Sequence, residues 1–414
     1  MSVGRNALIA GLDIGSTKIC CFIARAEEQH ARVIGIGYQV SRGMRNGTVV
    51  DMDAAEGSIR AAVEAAERMA GETIKDVFVS LNAGSPVSHQ VNVEVSIGGH
   101  EVGESDIRRV LTQGRNLEQH TEGDRQVVHS IPVGFTIDGS PRLREPRGLY
   151  ADNLGVTMHV VTAQVGPVRN VATCVARGHL GIAGMAVGPF ASGLAALVED
   201  EMDLGVTLVD CGGGTTSIAI FFEGALVYTD SIAIGGAHVT NDIARGLTTT
   251  LADAERLKTL YGTCLRGHND DDPIAVPQVG ETEEHSHKEV PRSYLTGIIT
   301  PRVEEILELV RERIAQSGFE RIAGRRVVLT GGASQLQGLR ELAARVLDKQ
   351  VRLGRPIRVA GLAEATGGPA FSACAGLLAY ALKDRAEAPA PNSESDLAAM
   401  GRFSRLGKWI RANF

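Results

Sequence analysis

Residues 206–216 read Val-Thr-Leu-Val-Asp-Cys-Gly-Gly-Gly-Thr-Thr. An apolar run ends in Asp210, and Gly212, Gly213, Gly214, Thr215 and Thr216 follow. The pattern predicts a strand entering a tight turn whose bare backbone approaches another group closely. Successive N–H groups in such a turn form an anion-binding concavity, and a carboxylate at its lip suits hydrated magnesium. No Lys-Ser/Thr follows at the spacing of a Walker loop. Taken alone, the stretch fits a phosphate site or a plain Gly-rich hairpin.

A second copy narrows that choice. Residues 7–18 read Ala-Leu-Ile-Ala-Gly-Leu-Asp-Ile-Gly-Ser-Thr-Lys, so Asp13, Gly15, Ser16, Thr17 and Lys18 repeat the apolar run, the acid and the small hydroxyl residues. Alternating apolar residues after each turn predict a three-strand antiparallel meander in each copy. A helical pattern follows at 54–69 and at 238–246, and a lone apolar strand at 77–81 and at 327–330. Two related halves, each with an Asp-tipped turn, imply a nucleotide clamped between two domains.

The 414 residues exceed one core, so two to four domains are expected. Hydrophobic content of 43% and mean hydropathy near zero fit a soluble globular protein. The net charge of −7 argues against a nucleic-acid binder. The six cysteines show no metal-ligand spacing and read as reduced core residues. The first apolar run is too short for a signal peptide, and none reaches the roughly twenty residues that span a bilayer. The chain is therefore expected to stay in the cytoplasm.

Between the lone strand and residue 162 the symmetry breaks. Alternation at 89–96, a capped helix start at Glu104 or Ser105, and strand patterns at 126–137 and 158–163 describe a small α+β module. His129 and His159 sit in its alternating apolar runs and read as core or edge residues, since no nucleophile–base pair adjoins them. Helices are expected at 165–177, 253–262, 302–316, 339–347 and 367–382, with Pro301 at the first turn of the third. The stretch 266–288, rich in Asp and His, reads as a solvated loop rather than a metal site. Gly331, Gly332, Ala333 and Ser334 form a third Gly-rich turn.

From residue 385 the composition changes to a Pro-, Ala- and Ser-rich linker, expected to be disordered. Beyond it, Phe403, Leu406, Ile410 and Phe414 fall on one face of a helix, with Trp409 beside them and Arg402, Arg405, Lys408 and Arg411 flanking. A basic amphipathic helix on a tether suits anionic membrane lipids, with each cation contributing about 1 kcal/mol. A helix docking on a partner protein or on this chain's own body is the other reading.

Together, Asp13-x-Gly-x-Thr-Lys18, Asp210-x-Gly-Gly-Gly-Thr-Thr216 and Thr330-Gly-Gly-Ala-Ser334 resemble the two phosphate motifs and the adenosine motif of the actin, chaperone and sugar-kinase ATPase superfamily. Within it the chain is most similar to the bacterial division family FtsA. The insert carries that likeness (His129-Ser-Ile-Pro132, Asp138-Gly, Pro146-Arg-Gly148-Leu, His159-Val-Val), as do Val-Ser-Leu-Asn-Ala-Gly84 before it and the tail. The resemblance implies an α/β, actin-like (ribonuclease H-like, duplicated) fold. Its parts would be a first half (1–83, 163–200, 365–384), an FtsA-type insert (84–162), a second half (201–246, 318–364), subdomain 2B (247–317), a linker (385–398) and a membrane-targeting helix (399–414). It also implies roles. Asp13 and Asp210 would face magnesium through water, and Ser16, Thr17 and Lys18 would meet the terminal phosphates of ATP. The amides of Gly212–Thr215 would lie opposite, with Gly235 and Gly236 nearby. Gly331–Ser334 would pack on adenosine, and Glu255 and Lys258 would sit near ribose and base.

The implied function is an ATP-binding protein that polymerises on the cytoplasmic face of the inner membrane and ties the FtsZ ring to it at the division septum. Subdomain 2B would take the FtsZ tail, and the insert would serve self-association and later division proteins. One departure stands out. Relatives of the MreB and chaperone type place Glu-Pro at the start of the crossover helix, whereas this chain has Gly188-Pro189. Glycine cannot act as a general base, so slow or absent hydrolysis is expected. A small-molecule kinase would need a placed carboxylate base, a chaperone a peptide-binding domain, and a pilus-assembly relative would leave the basic tail unexplained.

Overall fold

The two meanders form as their alternation predicts. Leu8–Ile14, Lys18–Ala26 and Ala31–Val40 pair antiparallel in sequence, and so do Val206–Cys211, Thr216–Phe222 and Ala225–Ile232. Each first strand then gains a parallel neighbour, Asp76–Leu81 in one half and Arg326–Thr330 in the other. Gly181–Val187 extends the first sheet and Gln350–Leu353 the second, and Val359–Ala360 adds a sixth strand to the first beside Ala31–Val40, giving six- and five-stranded sheets of otherwise like topology. The computed structural model describes residues 7–27, 30–118, 123–140, 142–280 and 287–387.

Central strands such as Lys18–Ala26 and Val206–Cys211 are apolar on both faces because helices cover both. The helix Met52–Ala70 starts where the Asp51 side chain accepts the Ala54 N–H at 3.1 Å, and ends at Gly71 in the left-handed region (φ 67°). On the opposite face the crossover helix Gly188–Ala196, wholly buried, meets Ser372–Glu387. A Cβ at Gly376 would stand 1.7 Å from the Ala191 carbonyl oxygen, so only glycine allows that crossing.

The insert is a three-stranded antiparallel sheet with Tyr150–Gln164 between Val87–Glu101 and Arg125–Ile137, and the helix Glu104–Glu118 on one face. Pro132 lies on an edge strand, where the missing N–H is harmless. Both flanking histidines are buried in polar links to the two halves. His129 Nε2 accepts the Val187 N–H at 3.0 Å, while its ring meets Phe190 and Tyr380 edge-on. His159 Nε2 lies 2.9 Å from Ser88 Oγ, which bonds the Thr229 N–H and carbonyl at 2.8 Å each. Burial lowers the pKa of His129 to about 3 and that of His159 to about 4, so both are neutral core residues.

Several boundaries differ from expectation. The insert helix begins at Glu104, and its cap is Gly103, whose N–H is accepted by Asp106 Oδ2 at 3.0 Å; neither Glu104 nor Ser105 caps it. The helix expected from 302 runs Arg292–Gln316 with Pro301 inside. Its extra turns bury Leu295, Thr296 and Ile299, which outweighs the lost backbone bond at Pro301. The expected loop 266–288 contains Pro273–Pro277, paired with His287–Pro291, because Ile274, Val276 and Val290 alternate into the core. The last helix starts at Ser372, after two short 3-10 turns, and continues to Glu387. The tail residues Arg402, Phe403, Arg405, Leu406, Lys408, Trp409, Ile410, Arg411 and Phe414, and most of the expected linker, lie outside the described residues.

Candidate functional site

The two Asp-tipped turns are one structure made twice. In the first, the Gly15 N–H donates to the Lys18 carbonyl at 3.0 Å; in the second, the Gly212 N–H donates to the Thr215 carbonyl at 2.9 Å. They face each other across the cleft between the sheets. A Cβ at Gly213 would stand 2.3 Å from Thr17 Cγ2, and one at Gly214 would stand 2.4 Å from Ser16 Oγ. The glycines are thus what lets the halves approach, and any group seated between the turns sets their separation. Ser16 Oγ also accepts the Gly47 N–H at 2.8 Å. Thr216 points elsewhere: its hydroxyl is taken by the Ile234 carbonyl at 2.8 Å.

Asp13 is buried and Asp210 half-buried, and each is held by one serine. Ser80 Oγ donates to Asp13 Oδ1 at 2.6 Å, and Ser192 Oγ, on the crossover helix, donates to Asp210 Oδ2 at 2.5 Å. Burial raises the pKa of both. Asp210 reaches about 6, with the negative charge of Asp13 adding to burial and the Ser192 bond and Lys18 opposing it. Among the described residues neither carboxylate has an ion-pair partner. Lys18 is held by the Ala370 carbonyl at 2.5 Å and lies 3.4 Å from the Phe371 ring centroid.

Two neighbouring carboxylates, one buried and one half-buried, without a paired cation favour a divalent ion. Among the described residues no three His, Cys, Asp or Glu side chains converge, so an ion here would keep much of its water, as magnesium does.

The third turn closes the cleft on the second half. Gly331 has φ 83°, and a Cβ there would stand 2.3 Å from Asp210 Oδ1, so a side chain is excluded twice over. Gly332 and Ala333 continue into a short 3-10 turn, and Ser334 Oγ donates to the Gly331 carbonyl at 2.7 Å. Gly235 and Gly236 open the helix Gly236–Leu247; the Gly236 N–H bonds the Gly212 carbonyl, and a Cβ at Gly236 would stand 2.9 Å from Ala333 Cβ. Beneath that helix start, Lys258 Nζ donates to the Gly236 carbonyl (3.1 Å), Thr240 Oγ1 (2.7 Å) and Glu255 Oε2 (2.7 Å). The structure therefore gathers the expected residues of the three turns other than Thr216, together with Glu255 and Lys258, around one cleft.

Sequence reasoning missed Ser80 and Ser192, which position the two acids, and Asn82, which lies against Gly188. The spacing Ser80-x-Asn82 at the end of a strand was the available signal for two of them.

Two family descriptions match: "Cell division protein FtsA" over residues 207–376, and "SHS2 domain inserted in FTSA" over residues 83–162. The chain is 46% identical over 424 residues to the cell division protein FtsA of Rhizobium meliloti (strain 1021), covering 99% of this chain and 96% of that protein. The chain belongs to the FtsA family. It is also 35% identical to FtsA of Pseudomonas aeruginosa, over 100% of both chains, and 32% identical to FtsA of Escherichia coli (strain K12), over 98% of both. With FtsA membership goes a role in cell division.

The fold is actin-like, with the SHS2 domain of FtsA as its insert. The PilM–PilN type IV pilus biogenesis complex matches with a TM-score of 0.64 at 17% identity, over 91% of this chain and 99% of that one. MreB5 of Spiroplasma citri bound to ADP matches with a TM-score of 0.55 at 12% identity, over 93% and 100%. At such identities these two show the fold alone. No helix among the described residues is long and apolar enough to cross a membrane.

Proposed function

We propose that this FtsA-family chain binds ATP with magnesium in the cleft and uses it to fix the angle between its halves. In that state it would polymerise on the cytoplasmic face of the inner membrane and tie the FtsZ ring to it at the septum. The observation that carries this reading is the contact of Gly213 and Gly214 with Thr17 and Ser16 beside two carboxylates without an ion-pair partner among the described residues, Asp13 buried and Asp210 half-buried. Amides of Gly212–Thr215 and the Ser16 and Thr17 hydroxyls suit the phosphates. Asp13 and Asp210 suit magnesium through water, and Lys18 adds positive charge. Gly235, Gly236 and Gly331–Ser334 suit the nucleoside, with Glu255 and Lys258 bracing them. Magnesium supplies charge neutralisation there, relieving the repulsion between the two acids and the phosphates. Hydrolysis is slow or absent because Gly188 brings no proton acceptor to the cleft.

The tail Arg402–Phe414 would hold anionic lipids, and the insert at 84–162 would serve self-association and later division proteins. The FtsZ tail would dock on 247–317. A cavity of about 360 Å³ there, lined by Arg266, Arg292, Asp270 and Glu341 among others, offers two guanidinium groups to a peptide carboxylate. Liposome flotation of the full chain against a chain ending at Lys383 tests the tether: loss of flotation is expected, and equal flotation would refute it.

A further inference from the structure

The strand Asp76–Leu81 ends beside the crossover helix, since Leu81 pairs with Val187. Ser80, near the end of that strand, is the donor to Asp13, and Asn82 follows directly after the strand's last residue. The Asn82 carboxamide lies against Gly188: a Cβ built on that glycine would stand 2.1 Å from Asn82 Oδ1 and 3.1 Å from its Cγ. The backbone carbonyl oxygen of Asn82 lies 2.3 Å from a Cβ built on Gly47, and Gly47 in turn donates to Ser16 Oγ. Asn82 therefore lies with its carboxamide against the start of the crossover helix and its backbone over Gly47, one hydrogen bond from the first phosphate turn at Ser16. Among the described residues its carboxamide has no hydrogen-bond partner. A half-buried amide with two donors and one acceptor is seldom left so unless something else engages it.

The side chains possible at 188 and 82 exclude each other. Any group on residue 188 would need the space that the Asn82 carboxamide fills. An amide donates and accepts hydrogen bonds but takes no proton from water near neutral pH. We propose that the Asn82 carboxamide reads the terminal phosphate of a bound nucleoside triphosphate, distinguishing it from the diphosphate while supplying no base to cleave it. This rests on the nucleotide reading above and assigns the group that makes the clamp sense the state of its ligand.

The test is equilibrium binding of Mg·ATP and Mg·ADP to the full chain, by calorimetry, for wild type, Asn82→Ala and Asn82→Asp. In Asn82→Ala, ATP affinity falls about tenfold and ADP affinity less than twofold. Asn82→Asp keeps the shape, so it tests the same point if the alanine variant does not fold. Its charge faces the phosphate and lowers the ATP-to-ADP ratio at least as far. A ratio unchanged in both variants, with wild type binding nucleotide, overturns this proposal alone. Failure of wild type to bind either nucleotide overturns the nucleotide reading and this one with it.

Discussion

Gly214→Ala adds one methyl at the point where the halves touch. Its carbon would stand 2.4 Å from Ser16 Oγ, 2.7 Å from Ser16 Cβ and 2.9 Å from the Asn46 Cα. Ordinary contact distances are about 3.5–4.0 Å, so relief requires a shift of roughly 1 Å. The Ser16 side chain cannot supply it alone, because its own Cβ and the Asn46 backbone are among the atoms struck. The turns must therefore part. Overpacking of this kind costs about 1–3 kcal/mol, and borne by the closed cleft it weakens Mg·ATP binding by about 5- to 150-fold. Gly57→Ala is the matched control: nothing lies within 4 Å of its Cβ, and it sits within the helix Met52–Ala70, where Ala is favoured over Gly. Calorimetric titration and thermal unfolding of both variants provide the assay. If Gly214→Ala binds Mg·ATP within twofold of wild type and of Gly57→Ala, the turns do not clasp a ligand between them.

Two further predictions concern pH. Asp210 is raised from its ordinary 3.8 to about 6 by burial, so without ligand its stabilising share is complete below about 4 and lost as pH rises through about 6. Asp210→Asn should therefore stabilise the ligand-free chain at pH 8 by about 1–3 kcal/mol, read from denaturant midpoints, while abolishing Mg·ATP binding. His129 and His159 act in the opposite sense. Their folded values lie near 3 and 4 against an ordinary 6.5, so the unfolded chain binds more protons and stability falls as pH drops below about 6.5. The slope approaches about 1.4 kcal/mol per pH unit for each histidine, and His129→Gln should flatten the acid limb between pH 6 and 4 by about one such share.

The duplication was legible because turn chemistry and strand alternation are local. Both meanders, the helix Val165–Arg177 and the helix Leu339–Leu347 follow the sequence pattern closely. Elements decided by distant partners were less legible. Pro301 reads locally as a helix start, and only the burial of Leu295 and Ile299 carries the helix ten residues further back. The hairpin at 273–291 is short, and its three buried residues are outnumbered by acids and histidines.

The site divides in the same way. Glycines that permit close approach announce themselves, but the residues they approach do not. Ser80 and Ser192 are unremarkable in sequence, and become the donors to the two acids only when a parallel strand and the crossover helix bring them there. The missing acid at Gly188 was visible, whereas the amide that fills its place comes from a strand about a hundred residues earlier.

In the proposed function the cleft holds ATP through the two acids and does not need to cleave it. Titrating Mg·ATP and a non-hydrolysable analogue into the full chain and into Asp210→Ala tests it most directly. One site per chain is expected, with the same affinity for both ligands in wild type and no measurable binding in Asp210→Ala. Unaltered binding in Asp210→Ala, or no binding in wild type, would contradict it.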